Sequence, residues 1–144
     1  MSLLTIPVFQ NTFKKTEEWL DEIMSLLDWA DRKRAYKALR EVLHTLRDLL
    51  TVQEATDLAA QLPMLLKGVY YDGWNPSHKP TRLHTADEFV AAINKHFPDP
   101  ETSEYIDSED ITRAVLKVVS NHVSAGEIKD IVASLPEKIR DLFD

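Results

Sequence analysis

Thr51-Val52-Gln53-Glu54 runs on to Leu62-Pro63, and Ser124-Ala125-Gly126-Glu127 runs on to Leu135-Pro136. The two phrases stand 73 positions apart, and so do their prolines, so the likeness is one of register. Each opens with a hydroxyl residue followed three positions later by Glu, the pattern in which both side chains satisfy unpaired N–H groups at a helix start. Each continues as an apolar stripe and then meets a proline, which removes a helix donor and clashes with the carbonyl four residues back. The pattern predicts a duplicated helical unit whose last helix is broken at Pro63 in one copy and at Pro136 in the other.

Working outward, Phe9, Phe13, Thr16, Leu20, Ile23 and Leu27 recur at spacings of three and four, with Trp19 and Met24 beside them, and predict a helix from Pro7 to Trp29. Asp31 is placed to cap a second helix over Arg32 to Leu50, in which Ala35, Leu39, Val42, Leu46 and Leu49 share one sector. Lys33, Lys37, Arg40, His44 and Arg47 fall in the opposite sector and predict a cationic face. Thr51 opens the third helix, with Pro63 to Tyr71 a separate or sharply kinked one, and Asp72-Gly73 closes it through the left-handed conformation open to Gly.

In the second half, Thr85 and Glu88 frame a helix carrying Phe89, Ile93 and Phe97, and the acidic run Asp99 to Asp110 reads as a loop or helix approach. A helix from Ser108 carries Ile111, Val115, Val118, Val119 and Val123, and the last stripe runs from Ile128 to Phe143. Ser134 and Glu137 predict a fresh hydroxyl-initiated helix after the second proline. With no strand pattern, the expected fold class is all-α, a single domain over 1–144 with repeats at 7–74 and 84–144 and a connector at 75–83.

Matching the pattern in both halves, the stretch Arg34-Ala35-Tyr36-Lys37-Ala38-Leu39-Arg40-Glu41-Val42-Leu43 and the string Gln61-Leu62-Pro63-Met64-Leu65-Leu66-Lys67-Gly68-Val69-Tyr70-Tyr71-Asp72-Gly73-Trp74 resemble the prokaryotic domain-of-unknown-function family 2267. Arg113-Ala114-Val115-Leu116 and the second capping phrase agree, so the resemblance runs from about Phe9 to Phe143. It implies a small all-helical prokaryotic protein and carries over no catalytic residue.

Composition narrows the chemistry. The absence of Cys excludes thiol catalysis, thiolate metal sites and disulfides, and fits a reducing, cytoplasmic setting. The N-terminal segment lacks the basic start and cleavage pattern of a secretory signal, and no apolar run reaches membrane-spanning length, so no membrane association is expected. A net charge of −7 disfavours nucleic acid as partner. Three Gly make no phosphate loop, and the five His never pair at metal-binding spacing, so no cofactor, metal or catalytic residue is expected.

Two surfaces remain as candidates. The cationic face of Lys33, Lys37, Arg40, His44 and Arg47 offers an anionic partner or nucleic acid a place to lie, against the plainer reading of a solvated helix face. The cluster Tyr70, Tyr71 and Trp74 offers a ligand pocket or a protein-binding spot, against the plainer reading of aromatics packed under a loop. The leading expectation is a non-catalytic interaction module with a protein partner or a second copy. The alternatives are a nucleic-acid-associated protein using the cationic face, and a small-molecule binder or enzyme near Tyr70 to Trp74.

Overall fold

The computed structural model describes residues 2–77, 80–97 and 107–144, so most of the acidic run expected as a loop, and residues 78–79 of the connector, lie outside the described residues. A 3₁₀ turn at Leu3–Thr5 leads into α1 (Pro7–Leu27), α2 (Arg32–Leu49), α3 (Val52–Ala59), α4 (Met64–Tyr71), α5 (Ala86–Asn94), α6 (Ser108–His122), α7 (Ala125–Ser134) and α8 (Glu137–Arg140), closed by a 3₁₀ turn at Asp141–Phe143. No strand occurs among the described residues, and the fold is all-α.

Short polar side chains set the helix starts. Asp31 accepts from the Lys33 N–H, Thr51 from Glu54, Thr85 from Glu88, Asp107 from Glu109 and Asp110, and Ser124 from Glu127. Each cap satisfies a backbone donor that the first turn leaves unpaired. α1 begins instead with Pro7 in its first turn, where the missing N–H costs nothing.

Both prolines break the chain as the sequence implies, α3 giving way to α4 and α7 to α8. The restart differs from expectation, because Pro136 itself is the N-cap of α8 and Ser134 turns back to donate to the Ile131 carbonyl at 2.7 Å. A serine still inside α7 has that carbonyl within reach, so its hydroxyl is spent before it can cap the next helix.

α2 and α6 form the hub. α2 packs against α1, α4, α5 and α6, while α6 also packs against α1 and α5. Ala35, Ala38, Leu39, Val42, Leu43 and Leu46 of α2 are fully buried, as are Val115, Val118 and Val119 of α6. One hydrophobic cluster draws side chains from all of α1 through α8.

α1 is rotated from its expected setting. Its buried line is Thr12, Thr16, Trp19 and Ile23, whereas Phe9 and Phe13 are only half-buried. Two threonines survive burial because Thr16 donates to the Thr12 carbonyl at 2.8 Å and Thr12 accepts from the Leu65 N–H at 2.8 Å, leaving neither hydroxyl unpaired. Trp19, the largest side chain on that line, stacks on the His122 ring at 4.8 Å, and His122 Nε2 bonds Glu22 at 2.9 Å. α1 also stops earlier than Trp29, at Asp28, which takes a left-handed φ of 54°.

Candidate functional site

The expected cationic face of α2 is, in the folded chain, the cap of another helix. α4 ends at Tyr71, and its last carbonyls have no partner within the helix. Arg47 supplies one, donating to the Tyr70 carbonyl at 2.7 Å and the Asp72 carbonyl at 3.0 Å while its other nitrogens hold Asp48. His44 supplies another, its Nε2–H donating to the Val69 carbonyl at 2.6 Å. A cation at this position also meets the negative end of the α4 dipole.

Arg47 is therefore buried, at 5% exposure, and not part of an open face. The correction has a plain cause: the angular sector that a helical wheel assigns to solvent is here covered by α4. Arg40 pairs with Glu41 at 2.8 Å and with Asp72 at 3.6 Å. Lys37 sits half-buried, its ammonium 5.0 Å from the Phe97 ring centre, and only Lys33 stands fully exposed.

Burial holds the His44 imidazole below its ordinary pKa, with Arg47 and Arg40 adding to the effect and the Val69 bond and Glu41 opposing it. Four of the five residues thus bind their own protein, which leaves little of a nucleic-acid track. Glu41 is buried and joins Arg40 to His96, the latter at 3.0 Å just past the end of α5. Its signal in the sequence is slight, an acid one place from the apolar stripe.

The aromatic cluster divides. Tyr70 is fully buried and donates its hydroxyl to the Ala55 carbonyl at 2.8 Å, and burial pushes its phenol pKa up. It is a strut between α3 and α4. Tyr71 and Trp74 pack on each other at 5.3 Å, and Trp74 with Gly73 borders a recess of about 550 Å³ that also takes in Arg47, Asp48, Thr51, Val52, Pro76 and Thr81. The recess has the size of a small-molecule site, but Arg47 is committed to backbone and Asp48, and among the described residues no nucleophile paired with a base lines it. Among the described residues no group of three or more His, Asp or Glu is placed to hold a metal ion.

What sequence reasoning missed is an apolar edge. Leu3, Leu4, Ile6 and Val8 stand exposed at the start of the chain, and Met64 and Leu65 stand exposed where α4 begins. α1 packs on α4, and the Thr12–Leu65 hydrogen bond falls one turn beyond Val8, which sets the start of α4 beside the N-terminal part of α1. Their signal was compositional: residues 2–15 and 60–71 hold no Asp or Glu in a chain of net charge −7.

The model of the family described as an uncharacterized conserved protein, DUF2267, matches residues 16–142. The chain belongs to this family. The DUF2267 match takes in α2 to α8 and most of α1, and starts just after the exposed N-terminal side chains. No curated protein matches the chain. Among the described residues no helix is long and apolar enough to cross a membrane.

Proposed function

We propose that this DUF2267 protein is a non-catalytic interaction module, built as two like helical units, that engages a protein through the edge formed by Leu3, Leu4, Ile6, Val8, Met64 and Leu65. One observation carries the reading: most of the polar groups that sequence singled out are consumed inside the fold, while large apolar side chains stand unburied at the start of the chain and at the start of α4, the helix that α1 packs on, Leu4 at 59% and Met64 at 52% exposure. Exposed apolar clusters of this kind mark interaction surfaces, whereas single exposed apolar residues do not.

The test places a photo-crosslinking side chain at position 8 or 65 of the full chain in its host cells, with position 129 on α7 as control. Adducts of defined mass from 8 and 65, but not from 129, are expected. Light scattering on the purified chain reports whether a second copy is the partner. A chain that stays monomeric and gives no adduct from either edge position overturns the reading.

A further inference from the structure

The edge has a sign as well as a polarity. Residues 2–15 and 60–71, which build it, contain Lys14, Lys15 and Lys67 and no acidic residue, while the rest of the chain holds all 24 acidic residues and 14 of the 17 basic ones. On α1, Val8, Asn11 and Lys15 follow one another up a single column at helical spacing. On α4, Met64, Leu65 and Gly68 make the exposed sector and Lys67 stands at its border. None of the three lysines is within 4.0 Å of a carboxylate among the described residues. Lys15 further stands on the lip of a recess of about 230 Å³ with Gln61, Leu62 and Pro63, which Glu18 also lines.

Resting on the interaction reading above, we propose that the partner seated on this edge is an amphipathic helix with acidic flanks, laying its apolar stripe against Val8, Met64 and Leu65 and its carboxylates beside Lys15 and Lys67, with Lys14 adding to the positive charge from the outer side of α1. A helix presents apolar side chains at three- and four-residue spacing with charges on either side, which is the complement of an apolar strip bordered by lysines. Charge also disfavours a symmetric pair of copies, since a two-fold contact sets the same three lysines against each other. Among the described residues, the other exposed large apolar side chains, Leu26, Tyr36 and Val52, come from separate helices and offer no second stripe for a head-to-tail contact. The recess beside Lys15 accepts a side chain, which a flat lipid surface does not supply.

The proposal is tested by fluorescence anisotropy on the full chain with three labelled helical peptides: a Leu stripe with Glu flanks, the same stripe with Lys flanks, and Glu flanks with the stripe replaced by Ser and Gln. The first is expected to bind about tenfold or more tighter than either other, a difference of about 1.4 kcal/mol or more, and to lose that preference in about 0.5 M salt. The triple variant Lys14→Glu, Lys15→Glu, Lys67→Glu, checked for unchanged helicity, is expected to reverse the choice toward the Lys-flanked peptide.

Equal binding of the Glu- and Lys-flanked peptides overturns the proposal, as does a concentration-dependent dimer of the chain alone, or retention by phosphatidylserine vesicles without binding of the acidic peptide. If crosslinks form at positions 8 and 65 and persist in the triple variant, the partner chemistry fails while the docking edge stands. If no crosslink forms, the edge fails with it.

Discussion

Burial decides how His44 titrates, and the consequence is a pH dependence of known sign. Its folded pKa is held below the ordinary imidazole value, so below about pH 6.5 the unfolded chain binds a proton that the folded chain resists. The stability it contributes is complete above that pH and is lost as pH falls toward the folded value. Urea unfolding between about pH 7 and pH 5 is expected to show a declining midpoint, and His44→Gln, which keeps an N–H donor for Val69 without a titrating ring, to flatten the decline. Asp28 is strained in the folded chain. It holds a left-handed φ of 54° and places a negative charge at the C-terminal end of α1, both unfavourable. Asp28→Gly is therefore expected to stabilise the fold by up to about 1 kcal/mol, read from thermal melts, with no change in helicity. Arg47 shows the limit of residue-level reading. Its angular position on α2 was legible, but burial depends on what lies across from it, and α4 is 17 or more residues further along the chain.

The helices themselves were largely written in local signals. Asp31, Thr51, Thr85 and Ser124 cap where their positions imply, since a cap needs only a short polar side chain and the next three residues. The reciprocal half of the Ser124 box was not legible. The Ser124 N–H donates to Gln61 at 2.7 Å and the Gln61 amide donates back to the Ser124 hydroxyl at 3.1 Å, so a side chain from the end of α3 occupies the place expected for Glu127. Glu127 keeps an oxygen that is buried without a partner, and burial, with Asp57, Glu54 and Asp130 nearby, pushes its pKa up. Two consequences follow for the α3–α7 seam. Gln61→Ala is expected to cost about 1 kcal/mol or less, because Glu127 then becomes free to take the vacated N–H. Glu127→Ala is accordingly expected to cost more in the Gln61→Ala background than alone, a coupling that a double-mutant cycle measures. A strictly additive pair would remove Gln61 from this role.

Across the whole molecule, charge is distributed unevenly, with 24 acidic residues and 14 basic ones outside the two windows that build the apolar edge. Self-repulsion at net −7 is screened within a Debye length of about 10 Å at 0.1 M salt. The thermal midpoint is therefore expected to rise by a few degrees when NaCl is raised from about 10 to 150 mM, and a fall would show that the internal ion pairs outweigh the repulsion. The sequence by itself determined that the chain is all-α, where most of its helices start, that two prolines break them, and which family it belongs to, because caps, proline geometry and three-to-four spacing act within a few residues. Only the tertiary structure decided that α1 turns Trp19 and two threonines inward, that Arg47 and His44 close the end of α4, and that Thr12 takes the Leu65 N–H. Those outcomes depend on pairs of groups far apart in the chain, whose burial and hydrogen-bond partners exist only once the helices have packed.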